Sequence, residues 1–411
     1  MSTAAQVSSV ATADKTGTTR LASIDIFRGL TMLVMIFVND LSSVHGLPWW
    51  TYHAPSKADV LTYVDMVFPF FLFIIGLSIP IAIRQRLKKN PSILALWMHI
   101  LVRSVSLIVL GLILANAGKA DATLMHISGS AWAVIGLAGA ALFLSVYSGP
   151  EKYAMLHRWL QLFGLVVVAV MYAIFRRTTQ DGDVAWIDGS YPEILGLIGY
   201  TYLAVAILYI PTRRWLMAPL LWLIAMVGFN ALCAAQWIVA FRHLPLYIWP
   251  FSNGALVSIT MAGIVTSVIF LGAHRWQTLR QKAMLALAFA FLAFIAGWLL
   301  TPLGISKIRA TPTWCLYCIG AAVLSFAALY WICDIKKLTG WAFFARPAGA
   351  NTLLTYLLPD FYYFLLSWIG IHYFEQHLNL GWPGVVRSIV FTAAILGLAA
   401  IFTRLKIRLQ L

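Results

Sequence analysis

His53 has the broadest chemical reach in this chain, because an imidazole can take or give a proton near neutral pH. It stands in TYHAPSKAD, a short polar loop between two strongly apolar runs, SIDIFRGLTMLVMIFVND and YVDMVFPFFLFIIG. Those runs bring Asp25, Arg28, Asn39, Asp40 and Asp65 onto or beside them. Asp65, early in the second run, is placed to accept a hydrogen bond from one ring nitrogen and leave the other as a base. Asn39 can offer its amide to a carbonyl oxygen that gains charge during acyl transfer. A loop histidine alone is more often simply solvated. The flanking polar residues give this one weight, since such groups are costly at membrane depth unless they pair, line a cavity or react.

The elements that must position these groups are membrane helices. The chain is 61% apolar and only 10% charged, outside the soluble range of about half apolar and a quarter charged. Runs of roughly 20 apolar residues, enough to span the hydrocarbon as helix, centre on 26–45, 60–83, 94–116, 129–147, 159–175, 191–210, 215–240, 251–273, 283–302, 313–333, 351–373 and 385–403. The strict alternation of membrane strands is missing. The expected fold is an all-α polytopic helix bundle of about 12 spans (range 10–12), with 1–20 a disordered cytoplasmic tail and 21–411 a single transmembrane domain.

Nineteen of the 29 lysines and arginines fall in alternate inter-span segments and seven in the others, with Arg28, Arg103 and Arg387 inside spans. Under the positive-inside rule this puts both termini in the cytoplasm and His53 outside. The net charge of +15 is thus a topology signal and no nucleic-acid footprint, for no run of five basic residues occurs. Cys233 and Cys333 are single residues in apolar spans, and the Cys315/Cys318 pair lacks the further Cys or His ligands a metal site needs. No metal is expected.

On the first run, Asn39 stands about 16 Å above Arg28 at the helical rise per residue, which places Arg28 near the inner interface and Asn39 near the outer one. Asp25 and Arg28 share a helix face and can pair. That pair serves equally as a structural clamp or as part of an anion site. Trp249, Asn253 and Lys307 lie in outer loops, where a tryptophan can stack on a sugar or simply anchor at the interface. Asp360, beside Pro359, and Arg103 are further intramembrane charges.

RLASIDIFRGLTMLVMIFVND, the Trp-rich loop with its His-Ala, and VDMVFPFFLFIIGLSI resemble the transmembrane acyltransferase family that includes heparan-alpha-glucosaminide N-acetyltransferase, especially its bacterial NagX-like relatives. The similarity is most specific over 21–80. It continues more weakly through SNGALVSITMAG, ISKIRATPTW and GANTLLTY. The resemblance implies an acetyl-CoA co-substrate supplied from the cytosol and an amino-sugar acceptor on the far side of the membrane. It carries catalytic roles to His53, Asn39 and Asp65. Arg28, Arg84, Arg86 and Arg103 are the cations expected to hold the donor's phosphates, and Asp40, Trp249, Asn253 and Lys307 those expected to meet the acceptor. His53 as a base and His53 as acyl carrier both remain open. The expected setting is a bacterial inner membrane, with the lipid bilayer as surroundings, no nucleic-acid partner, and homodimer formation left open. A transporter of an amino sugar or related solute, with His53, Asp65 and Lys307 binding cargo or relaying protons, is the rival reading.

Overall fold

Every apolar run becomes a helix in the computed structural model, which describes residues 21–147 and 151–410. The expected tail over 1–20 lies outside the described residues. The long helices are α1 (Ala22–Leu41), α2 (Val64–Lys89), α3 (Ile93–Asn116), α4 (Gly129–Leu144), α5 (Ala154–Ile174), α6 (Glu193–Thr212), α7 (Ala218–Ala234), α8 (Ala255–Leu271), α9 (Leu279–Leu299), α10 (Pro312–Leu329), α11 (Thr352–Trp368) and α12 (Gly381–Arg404). Eight candidate spans, containing α1, α2, α3, α5, α6, α9, α10 and α12, are long and apolar enough to cross a membrane, while α4, α7 and α8 are shorter apolar helices. Among the described residues the strands are one antiparallel pair, Arg177–Thr178 with Val184–Ala185, beside two isolated bridges, His45 with Leu380 and Ser145 with Leu409. The protein is an all-α, multi-pass membrane helix bundle.

Local chemistry sets several helix starts. The hydroxyls of Ser92 and Ser128 accept from the backbone N–H of Ala95 and Ala131, and Thr278 with Gln281 forms a reciprocal capping box at α9. The start of α1 is capped from far away. Six residues of π-helix, Tyr330–Ile335, continue α10 and carry Asp334, whose carboxylate oxygens accept from Ala22 N at 2.9 Å and Ser23 N at 3.1 Å. A carboxylate satisfies otherwise orphaned donors there and meets the positive end of the helix dipole, which seats α1 against α10.

The centre of the bundle is built on close helix approach. A Cβ added at Gly76 of α2 would lie 1.9 Å from the Thr260 carbonyl oxygen, and one at Gly263 of α8 would lie 2.1 Å from that of Phe73. Only glycine fits at this crossing, the small-residue packing that membrane helices use in place of a hydrophobic driving force. At the periphery α5 leaves most of its surface outward, with Gly164 and Met171 its buried positions. α2 is therefore held on the core side, and its first turn supports the candidate site.

Candidate active site

The loop between α1 and α2 is folded back on its own root. Tyr52 donates its hydroxyl to the Val44 carbonyl at 2.6 Å and accepts from Leu47 N at 3.2 Å, so His53 is presented from a tethered loop. His53 Nδ1 lies 2.8 Å from Asp65 Oδ1. The other Asp65 oxygen accepts from Ala54 N (3.2 Å), Thr62 N (3.3 Å) and Thr62 Oγ1 (3.0 Å). These donors hold the carboxylate in one orientation although its side chain is only 1% exposed. With Nδ1–H donating to Asp65, Nε2 is the ring's acceptor. Trp314 of α10 donates its indole N–H to the Asp65 carbonyl at 3.1 Å, fixing the first turn of α2 from the core side.

Lys307 reaches the same imidazole from the loop between α9 and α10. Its Nζ lies 3.3 Å from Nδ1 and 3.2 Å from Nε2 of His53. The near-equal distances set the ammonium beside the ring, off the lone-pair axis of Nε2, so that axis is left open. Burial holds the Lys307 pKa below its ordinary value, with the Asp65 charge pulling the other way. Its loop is anchored at several points: Asp59 Oδ1 accepts from Ile305 N at 2.9 Å and from Arg309 Nη2 at 2.5 Å, and the Ala310 carbonyl accepts from Asn230 (3.1 Å) and Asn253 (3.2 Å). The Ile305 N–H, then Arg309, keep the Asp59 carboxyl below its usual pKa. His53, Asp65 and Lys307 thus form one constellation, with Asp59 and Arg309 bracing it.

The other expected site residues are distributed elsewhere. No hydrogen bond joins Asn39 to His53 among the described residues; with Asp40, Asn39 lines a separate cavity of about 510 Å³ that includes His45, His372 and Asn379. Asp40 is buried and accepts from Tyr363, from Ser388 Oγ at 2.5 Å and from Arg387 Nη2 at 3.3 Å, knitting α1 to α11 and α12. The Trp249 indole donates to Ser252 O at 2.9 Å, and its ring packs against Phe241 and Phe251. Asn253 spends its amide on Ala310 O and its oxygen on Ala255 N. In the geometry, Trp249 and Asn253 build loops.

The four arginines assigned to a donor face three cavities. Arg28 and Arg103 share one of about 300 Å³ between α1, α2, α3, α6 and α11, lined also by Ser78, Tyr202 and Gly349. Arg28 donates to Ser78 Oγ at 3.0 Å and to Gly349 O at 3.3 Å, and pairs with Asp25 at 3.3 Å. Arg103 stacks over the Tyr202 ring at 4.9 Å, while its buried Nε has no hydrogen-bond partner. Arg84 lines a second cavity and Arg86 a third, the latter with His99, Tyr147 and His157.

Against this geometry, a family profile described as "Domain of unknown function (DUF5009)" matches residues 20–227, half of the chain. The chain belongs to that family. Over 97 residues it is also 40% identical to heparan-alpha-glucosaminide N-acetyltransferase of Mus musculus and 39% identical to that of Homo sapiens. Each match takes in 24% of this chain and 14% of the relative, so the chain spans a small part of the length of these curated proteins. The DUF5009 match covers α1, α2 and the His53 loop but ends before Lys307, Asp59's partner Arg309 and Trp314. Those three come from beyond residue 300, and no local spacing near His53 could have pointed to them.

Proposed function

We propose that this protein is a membrane-embedded acyltransferase that moves an acetyl group from acyl-CoA on one side of the membrane to an amine or hydroxyl, on an amino sugar, on the other. The observation that carries the reading is the Asp65–His53–Lys307 constellation: an imidazole oriented by a carboxylate, with an ammonium beside the ring. Similarity to N-acetyltransferases over part of the chain supports the same class.

In this scheme the acceptor amine approaches along the open Nε2 axis and attacks the thioester carbonyl. Nε2 takes the amine proton, the carbon–sulfur bond breaks, and the departing sulfur leaves with that proton. Asp65 holds the ring and offsets its transient positive charge. Lys307, moved a short distance, stabilises the oxyanion formed on the carbonyl, the role that the sequence suggested for Asn39. Transfer in two steps, with His53 Nε2 carrying the acetyl group between them, uses the same residues. Arg28 and Arg103 take the donor's phosphate end, since two guanidinium groups on the wall of one cavity suit charge-assisted bonds to phosphate. Along α2, Ser78 stands about 20 Å from Asp65, a span for an extended pantetheine arm to cover. Both termini in the cytoplasm of a bacterial cell, the side to which the distribution of lysines and arginines assigns them, complete the proposal.

The test is acetyl transfer in proteoliposomes with labelled acetyl-CoA and glucosamine on opposite sides. Label on the sugar supports the reading; uptake of unmodified sugar with no label transferred establishes the transporter instead. Arg103→Gln should raise the apparent KM for acetyl-CoA about tenfold with kcat kept, the loss expected for one charge-assisted hydrogen bond. An unchanged KM removes Arg103 from the donor site.

A pH profile addresses Lys307. Its ammonium is present below its pKa and lost above it, so a lowered value brings the alkaline fall in kcat below the ordinary lysine value of 10.5. Lys307→Arg, which keeps its charge, should extend the plateau upward. Lys307→Gln should abolish that limb and lower kcat by about 10² to 10³, as removing an oxyanion donor does. A wild-type alkaline limb in Lys307→Gln would show that another group titrates there.

A further inference from the structure

At the end of α2 opposite His53, a cavity of about 440 Å³ is enclosed by the ends of α2, α6, α7 and α8. Lys88 on its wall is 23 residues from Asp65 along one helix, about 35 Å at the helical rise, so this cavity opens at the other membrane face. Four cations line it, Arg84, Lys88, Arg213 and Arg214, and no carboxylate is among the lining residues. Arg213 is partly accounted for by its hydrogen bond to the Ile210 carbonyl at 2.7 Å, which caps the end of α6. Arg84, Lys88 and Arg214 have no hydrogen-bond or carboxylate partner among the described residues. Four like charges converging on one concavity repel one another, and a bound anion removes that cost.

We propose that this cavity holds the phosphate of an anionic phospholipid headgroup. One observation favours a lipid over a soluble phosphate compound. The cavity adjoins an apolar rim at the membrane surface, where Trp215, Leu216 and Met217 are exposed and lead to the outward Leu221 and Ile224 of α7. Acyl chains can lie on that surface while the headgroup enters between the arginines, the arrangement of basic pockets between membrane helices. The α2 residues involved, Ile81, Arg84, Gln85 and Lys88, are also separate from the Ser78, Ile79 and Ala82 that line the Arg28–Arg103 cavity. The proposal does not rest on the acyltransferase reading.

Native mass spectrometry of the purified full chain tests it, with phosphatidylglycerol, phosphatidylcholine and 3′,5′-ADP as probes. Phosphatidylglycerol should bind and phosphatidylcholine should not. Each cation removed should weaken binding about fivefold, so Arg84→Gln combined with Arg214→Gln should weaken it about 25-fold. Lys336→Gln with Lys337→Gln, on another loop at the same face, should leave it unchanged. If the double arginine variant does not fold, Lys88→Gln on the exposed cavity edge carries the fivefold test alone. Equal binding of both lipids, phosphatidylglycerol binding indifferent to these variants, or displacement of the lipid by 3′,5′-ADP would each overturn the assignment.

Discussion

His53→Ala should lower kcat for acetyl transfer by about 10² to 10⁴, the contribution expected of a positioned general base, while leaving the protein folded. The folding part of this expectation comes from Asp65. Removing the imidazole takes away one of its partners, but Ala54 N, Thr62 N and Thr62 Oγ1 still satisfy the carboxylate. His53 is itself 42% exposed on its side chain, so no core cavity is opened. Asp65→Asn provides the complementary measurement. An amide can donate to Nδ1, which would switch the tautomer so that Nε2 bears the proton and no longer serves as base. It should therefore approach the loss of His53→Ala without removing the histidine. Turnover with labelled acetyl-CoA, read beside the size-exclusion profile of each variant, decides the matter. Transfer near the wild-type rate in His53→Ala would exclude both the base and the acyl-carrier roles.

What the sequence revealed about this site is height, and what it concealed is direction. The rise of a helix places Asn39 at the end of α1 that leads into the His53 loop, and that much is legible from residue counting. Which neighbour each side chain faces is another matter. In a bundle whose helices are apolar nearly all round, hydrophobic periodicity does not mark the inward face. Asn39 accordingly lines the cavity of His45 and His372, with no hydrogen bond to His53 among the described residues. The His53–Asp65 contact was readable because only the loop residues 54–63 and the start of α2 separate the two. Lys307, 254 residues from His53, could be named as an outer-loop cation but not as a partner of the ring. The arginines show where periodicity could have been used further. Arg84 and Arg86, two apart on one helix, point to well-separated azimuths, and the structure gives them to different cavities. The twelve helices themselves were legible because apolar run length is a direct consequence of bilayer thickness.

The largest stability effect is expected at Asp40, which the sequence assigned to the acceptor and the structure surrounds with donors. Its side chain is 1% exposed and that of Arg387 is 8% exposed, so the pair is buried between α1 and α12. Taking away one partner of such a pair leaves an uncompensated charge and costs about 3 to 5 kcal/mol. In Asp40→Ala, Arg387 would keep its hydrogen bonds to Phe374 O, Asp40 O and Ser43 Oγ, but its buried Nε already lacks a partner and no other carboxylate pairs with it among the described residues. Tyr363 and Ser388 would lose their acceptor at the same time. Asp40→Ala should therefore unfold in detergent at a clearly lower temperature than wild type. Combining Asp40→Leu with Arg387→Met should recover much of the difference, because the charge left behind is then removed as well. Acceptor KM measured on the same proteins separates the two roles. A structural hub changes the unfolding temperature and leaves KM near wild type in the double variant. An Asp40→Ala protein with unchanged unfolding temperature and a raised acceptor KM would return Asp40 to substrate binding.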